Sequence, residues 1–331
     1  MIVVTGGAGF IGSNIVRELN LLGETEILIV DSLKSSPNPA HPKFLNLTSA
    51  KFADFMDKRE FRAALAAGRF KRRRFRAIFH NGACSDTLED DGQYIMCNNF
   101  TYSKELLHFA TERRIPLIYA SSAAVYGLSS SFAEDEENER PLNVYGFSKL
   151  AFDNYVRARM TQFDSTVVGL RYFNVYGPFE SHKGRMASVI HHFSRQLKET
   201  GKIKMFRGSG GYRDGEQRRD FVYVRDLARL SLFLAGLTGE SAVRRGVVNA
   251  GTGASRTFKD VAAAVMKVLG PGEIEFIPFP AELEGRYQHF TEADTTALRQ
   301  LGWSEPFTPL EPGVRETLQG WYLEEPAVEG V

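Results

Sequence analysis

The sequence predicts an α/β fold, a doubly wound parallel sheet joined to a smaller C-terminal substrate-binding lobe. Three observations carry that prediction. The chain opens on a short apolar run, Met1-Ile2-Val3-Val4-Thr5, which breaks into Gly6-Gly7-Ala8-Gly9-Phe10-Ile11-Gly12. Ile15, Val16, Leu19 and Leu22 then recur at helical spacing before Gly23, so strand, glycine turn and helix follow in the order that opens a Rossmann-type dinucleotide unit. A second apolar run, Ile27-Leu28-Ile29-Val30, ends in Asp31, about 20 residues on, where a carboxylate can accept a bond from a ribose hydroxyl. Glycines let backbone approach a pyrophosphate, and the helix N-terminus supplies unpaired amides and a positive dipole end.

Composition narrows the class. At 331 residues the chain has room for one large or two smaller cored domains. With 43% hydrophobic and 24% charged residues it has a globular make-up. A net charge of +1 gives no reason to expect nucleic acid or an anionic membrane as partner. Cys84 and Cys97, the two cysteines, lack CxxC spacing, which points to a reducing compartment without a disulfide framework. No run of about 18 apolar residues predicts a membrane span, and strand residues from Ile2 onward leave no room for a leader. A cytoplasmic location is expected.

Along the chain, residues 34 to 58 carry little periodicity, and Pro37, Pro39 and Pro42 mark a loop. Lys71-Arg72-Arg73-Arg74 has the look of a nucleic-acid patch, but the balanced charge elsewhere favours a solvated turn. Ala77-Ile78-Phe79 and Leu117-Ile118-Tyr119-Ala120 read as strands, with His80 at a strand end and a helix around residues 106–110. Acidic residues 134–139 read as an exposed loop. After Val167-Val168-Gly169-Leu170 the strand–helix alternation fades, so a substrate region is expected from about Asn174. His191 and His192 are adjacent, about 100° apart on a helix, and no HExxH spacing or cysteine cluster accompanies them, so no metal is expected.

The chemistry-bearing stretch is Asn143-Val144-Tyr145-Gly146-Phe147-Ser148-Lys149. Tyr145 and Lys149, four apart, share a helical face. An ammonium beside a phenol lowers its pKa, and such a phenolate can take a proton from a hydroxyl while the carbon loses hydride. Alone, this spacing is common on solvated helices. The glycine turn and the serine-rich strand end before it give it weight.

Together with Gly6-x-x-Gly9-x-x-Gly12, that pair resembles the extended short-chain dehydrogenase/reductase family of NAD(P)-dependent epimerases and dehydratases. The resemblance runs through Asn81-Gly82-Ala83, Tyr119-Ala120-Ser121-Ser122-Ala123-Ala124-Val125-Tyr126-Gly127 and Arg171-Tyr172-Phe173-Asn174-Val175-Tyr176-Gly177-Pro178. Arg219-Asp220-Phe221-Val222-Tyr223-Val224 and Asn249-Ala250-Gly251-Thr252-Gly253 continue it. It implies that Ser122 holds the reacting hydroxyl, Tyr145 is the acid/base and Lys149 binds the nicotinamide ribose. Further dinucleotide contacts are implied at Gly6, Gly9, Phe10, Ile11, Gly12, Asp31, Ser32, Lys43 and Lys58. Asn81, Gly82, Ala83, Cys84, Ser85, Asn98, Val175 and Lys183 join them. Residues 1–173 with about 219–253 would form the dinucleotide-binding domain, strands near Phe221-Val222-Tyr223 and Val247-Val248-Asn249 joining its sheet. About 174–218 and 254–331 would form the substrate lobe.

Glu180-Ser181-His182-Lys183-Gly184-Arg185-Met186-Ala187-Ser188-Val189 is similar to the branch that inverts the sixth carbon of an ADP-linked heptose for lipopolysaccharide core. Cys84-Ser85, Asn98-Asn99, Phe44-Leu45-Asn46-Leu47 and Gly285-Arg286-Tyr287-Gln288 share that likeness. It implies Lys183 as a second acid/base opposite Tyr145. Substrate contacts are implied at Ser122, Asn174, Arg185, His192, Phe206, Arg207, Gly208, Ser209, Arg219 and Tyr287, and a homo-oligomer, a homopentamer, is implied as the assembly. Asp31 by itself favours NAD, because a carboxylate repels a 2′-phosphate; the resemblance favours NADP, with Lys43 and Lys58 offsetting that repulsion. Three departures stand out: Ser32 where asparagine is usual, Arg185 where serine is common, and an insertion at 210–217 that leaves Arg213 or Arg219 for one role. A dehydratase of the family would carry Asp-Glu where Ala123-Ala124 stands. A non-catalytic dinucleotide-binding scaffold would not need Ser122, Tyr145 and Lys149 together.

Overall fold

The computed structural model describes residues 1–34, 37–240, 242–280, 285 and 287–320. Its first half alternates as the periodicity predicts: β1 (Ile2–Thr5), α1 (Phe10–Leu21), β2 (Ile27–Asp31), β3 (Asp54–Asp57), α2 (Lys58–Ala66) and β4 (Ala77–His80). Next come α3 (Gly92–Ile95), a π-helical stretch Met96–Thr101, α4 (Tyr102–Glu112), β5 (Leu117–Ser122), α5 (Val144–Arg157) and β6 (Val167–Tyr172). The second half adds β7 (Asn174–Tyr176), α6 (Val189–Thr200), β8 (Lys202–Phe206), β9 (Arg218–Arg219), β10 (Phe221–Tyr223), α7 (Val224–Leu234) and β11 (Arg245–Ala250). It ends with β12 (Arg256–Thr257), α8 (Phe258–Leu269), β13 (Glu273–Ile277), α9 (Thr296–Gln300) and α10 (Leu310–Gln319).

Seven strands form one parallel sheet in the order β11-β6-β5-β4-β1-β2-β3. β1, β2 and β4 are buried along their whole length, which is why they read as unbroken apolar runs rather than alternating ones. Successive side chains point to opposite faces. Ile2 and Val4 pack with Ile15 and Leu19 of α1 and Leu227 and Leu230 of α7. Val3 packs with Phe61 of α2, Leu106 and Leu107 of α4, and Phe152 of α5. The strand order reverses between β1 and β4, the switch point where such sheets bind ligands at their C-terminal edge.

Two expectations are corrected. β10 does not join the main sheet; it pairs in parallel with β7 as a separate ribbon. The slot beside β6 is filled by β11, which pairs along six residues. And the 34–58 region, expected as loop, contains a 3₁₀ turn over Lys43–Leu47 and the strand β3; two aspartates around Phe55-Met56 leave that strand too little apolar length to show. Beyond β7, α6, α8 and α10 pack a third apolar cluster against the parallel pair β8–β13. Among the described residues no helix is long and apolar enough to cross a membrane.

Candidate active site

The glycine turn between β1 and α1 is a cradle only glycine can make. Gly6 has φ +67°, and a Cβ there would lie 2.8 Å from the backbone of Asn81 and Gly82. A Cβ on Gly12 would run into the Gly6 carbonyl. Gly9 precedes α1 without a side-chain cap, so helix geometry leaves the first amides, at Phe10, Ile11 and Gly12, without intrahelical partners. The backbone, the close approach and the open amides fit a pyrophosphate.

At the end of β2, Asp31 accepts the Ala8 amide at 2.9 Å and the Ser32 amide at 2.7 Å, and pairs with Lys43 at 3.3 Å. The carboxylate thus braces the turn, buried beneath Lys43. Lys58, first residue of α2, donates to Asn98 Oδ1 at 2.6 Å, and burial first, then nearby Arg62, lowers its pKa. Asp31 and Lys43 act on it too, so the structure gathers Asp31, Ser32, Lys43, Lys58 and Asn98 at one spot.

After β4, the 81–85 loop is clamped by Asn99, whose side chain accepts from the Cys84 amide at 2.8 Å and donates to the Cys84 carbonyl at 2.9 Å and Ser148 Oγ at 3.0 Å. Gly82 donates its amide to Thr5 Oγ1, while Ala83 and Ser85 stay exposed. Asn98 and Asn99 lie in the π-helical stretch, a local widening of the kind often seen at functional sites. His80, expected at a strand end, is buried between Thr5 Oγ1 at 2.7 Å and Ser103 Oγ at 2.9 Å; burial holds its pKa down to about 3, so it is a structural imidazole.

Ser122 ends β5, and its Oγ accepts the Ala124 amide at 3.1 Å and hydrogen-bonds the Tyr145 side chain. Asn143 caps α5 through the Gly146 amide, and a Cβ on Gly146 would sit 2.8 Å from the Ala124 carbonyl. That close approach brings Tyr145 to Ser122. Lys149 Nζ lies 5.9 Å from the Tyr145 ring centre and donates to the Ala120 carbonyl at 2.8 Å. The expected lowering of the phenol pKa is not seen. Burial raises it, with the Ser122 bond pulling the other way, because the ammonium is turned to the β5 carbonyl. Burial likewise lowers Lys149 to about 8, offset in part by Asp153.

Lys183 lies in the 3₁₀ segment Ser181–Met186 with Nζ 5.1 Å from the Phe10 ring centre, over the start of α1. Burial lowers its pKa and Glu180 raises it. Its turn is tied to the cradle: Asn46 donates to the Ala8 and Phe179 carbonyls at 3.0 and 3.2 Å and meets His182 Nδ1 at 3.1 Å. Buried Glu180 accepts from Ser188 Oγ at 2.7 Å and from the Gly177 amide. Val175 and Asn174 lie on β7, Asn174 exposed and within 3.4 Å of Thr291 Oγ1.

The remaining predicted substrate contacts fall in two places. Phe206, Phe279, Tyr287 and His289 form an aromatic cluster with ring separations of 5.2–6.0 Å, and Arg219 stacks 4.8 Å from the Tyr287 ring. Arg219 is buried, has no carboxylate partner among the described residues, and burial lowers its pKa; Arg213 is exposed. Gly208 donates its amide to Asp214, and Ser209 Oγ meets His289 Nε2 at 3.1 Å. From the 210–217 segment, Tyr212 lies parallel to His289. A cavity of about 360 Å³ opens between residues 127–130 and Tyr212 with residues 287–290. Arg207 is exposed at the mouth of β8. Arg185 instead pairs with Asp86 at 2.9 Å, and His192 Nε2 meets the Arg185 carbonyl. Arg286 lies outside the described residues.

Sequence reasoning missed the support behind these groups. Asp153, four beyond Lys149 on the same helical face, accepts from Tyr119, Ser121 Oγ and Arg171 Nε at 2.8–3.1 Å. Its spacing was a signal; that it is buried was not visible.

Known proteins resemble this chain in sequence and fold. A model of the NAD dependent epimerase/dehydratase family matches residues 2–251. The chain is 54% identical over 318 residues, 96% of each chain, to the ADP-L-glycero-D-manno-heptose-6-epimerase of Alkalilimnicola ehrlichii. The Helicobacter pylori structure of that activity is 30% identical with TM-score 0.81, covering 96% of this chain and 94% of its own. A Thermus thermophilus UDP-glucose 4-epimerase in complex with NAD is 27% identical with TM-score 0.73, covering 96% and 97%.

Proposed function

The chain belongs to the NAD dependent epimerase/dehydratase family, and from that membership we propose how it works as an ADP-heptose epimerase. It converts ADP-D-glycero-β-D-manno-heptose to the L-glycero epimer at the sixth carbon, for lipopolysaccharide core. Identity of 54% across 96% of the chain carries this reading. The cofactor is a nicotinamide dinucleotide, which supplies reversible removal of hydride from the carbinol carbon. We take it to be NADP: Lys43 beside Asp31, with Lys58 near both, offsets the repulsion a carboxylate exerts on a 2′-phosphate.

Gly6, Gly9 and the amides of Phe10, Ile11 and Gly12 would hold the pyrophosphate, Asp31, Ser32, Lys43 and Lys58 the adenosine end, and the 81–85 loop with Asn98 the middle. Lys149 would hold the nicotinamide ribose. Ser122 orients the substrate oxygen, and its bond to Tyr145, which opposes the effect of burial, favours the phenolate that takes the substrate's proton. Turning the oxidised sugar moves its oxygen across the cleft, out of reach of Tyr145. Lys183, lowered by burial, then serves the second epimer. Tyr287 and His289 line the cavity that would take the nucleotide or sugar, with Arg219 4.8 Å from the Tyr287 ring. Residues 1–173 with 219–253 would carry the dinucleotide and the remainder the substrate; a cytoplasmic homo-oligomer, a homopentamer by likeness to the family, is the proposed assembly.

Incubation with ADP-D-glycero-β-D-manno-heptose tests the reading. Formation of the L-glycero epimer supports it. A dehydrated sugar would make the chain a dehydratase, and an unchanged substrate would leave a binding scaffold.

A further inference from the structure

The basic run at residues 71–74 has no part in that chemistry, and the fold concentrates it further. Residues 71–76 line a groove of about 630 Å³ with Arg113 and Arg114, over a floor that includes Ile115, Pro116 and Leu237. Seven cationic side chains therefore edge one groove. Arg76 leads directly into β4 and Pro116 into β5, so the groove lies at the N-terminal edge of the sheet. Ser122 and the 81–85 loop stand at the other edge.

Few carboxylates answer this charge. Arg73 lies 4.0 Å from Asp54, Arg114 3.5 Å from Asp164, and Arg76 2.5 Å from Glu24. Arg113 donates to the Phe70 and Lys71 carbonyls. Exposed Lys71, Arg72 and Arg74 have no acidic partner among the described residues. The net charge of +1 for the whole chain thus conceals a strongly one-sided distribution. On the same edge, Leu21 and Leu22 at the end of α1 are 59% and 51% exposed, just before the Glu24 that meets Arg76.

We propose that this edge docks on an anionic lipid surface. Cations near such a surface gain from its negative potential, and exposed leucines beside them can enter the headgroup layer. Nucleic acid fits less well: the neighbouring Phe70 and Phe75 are buried, so neither ring is offered for base stacking. Docked this way, the catalytic edge faces away from the bilayer and stays open to a water-borne substrate.

The test is co-sedimentation of the full chain with phosphatidylcholine vesicles, with and without phosphatidylglycerol. Partition onto the mixed vesicles alone is expected, falling as added salt shortens the screening length from about 30 to about 10 Å. Each cation contributes about a fivefold factor, so Arg72→Gln with Arg74→Gln should lower partition about 25-fold. Epimerase turnover without vesicles should be unchanged in that variant, which shows that it folds. Equal partition onto neutral vesicles, no partition at low salt, an unaffected double variant, or preferential binding to a DNA duplex offered in competition would each overturn the proposal.

Discussion

Lys149 is 7% exposed, its ammonium bonded to the Ala120 carbonyl, and burial holds its pKa down to about 8. A lysine depressed below its unfolded value of 10.5 contributes stability above that pH and loses it as pH falls through about 8. At pH 7 the buried charge is therefore a cost. Lys149→Met should raise stability at pH 7 by on the order of 1–2 kcal/mol, after the lost hydrogen bond is allowed for. Denaturant midpoints should show that gain shrinking from pH 8 to 10.5, while activity is lost at every pH. A gain that persists above pH 10.5 would mean charge is not its origin. Tyr145 and Lys183 are assigned as the two acid/base groups, each typically worth about 10² to 10⁴ in rate. Tyr145→Phe and Lys183→Met should each lower kcat by that order with dinucleotide still bound. If Lys183→Met raises KM and spares kcat, Lys183 is a binding group alone. The Tyr145–Lys149 spacing was legible in the sequence; the direction in which the ammonium points was not, since that depends on where the β5 carbonyl ends.

Helix α5 does more than carry the two residues. Its Tyr145, Lys149 and Asp153 recur every fourth position, and Asp153 fastens the helix to β5 and β6 through Ser121 and Arg171. Arg171 is fully buried, and it is also bound to Glu139. Replacing one carboxylate leaves much of a buried charge without its counterpart, so Asp153→Asn should cost about 3 kcal/mol, read as a lower denaturant midpoint. An unchanged midpoint would mean Glu139 alone suffices. β1, β2, β4 and β6 were plain because each is buried along its whole length, whereas the partly exposed β3 was not. β7 was not, because a three-residue ribbon leaves no periodicity; β10 was read as a strand, but its pairing is settled by which sheet edge is already filled. The Lys183 turn was recognised by its residues, yet its tie to the cradle through Asn46 joins segments more than 130 positions apart, which no local pattern encodes.

For the whole molecule, the glycine turn, the strand ending in Asp31 and the later motifs were enough to lay out the main sheet and its ligand edge. The lobe beyond residue 174 showed as a change of texture with contact residues named by resemblance, while its short ribbons and the packing of its aromatic cluster were not visible. The charge balance of the full chain likewise hid the basic edge. Cofactor choice is a property of this assembled surface: Lys43 and Lys58 come to Asp31 from different elements. An epimerase regenerates its dinucleotide in each turnover, so the molecule should purify with NADP, identified by mass spectrometry of the denatured protein. Recovery of NAD without the extra phosphate would reverse that assignment.

The central claim is that one carbon is inverted by hydride leaving and returning within the closed site. The most direct measurement is conversion of ADP-D-glycero-β-D-manno-heptose in deuterium oxide, followed by NMR of the product. The account predicts the L-glycero epimer with no deuterium at its sixth carbon, because the hydrogen is never released to solvent. Deuterium at that position, or no epimer at all, would contradict it.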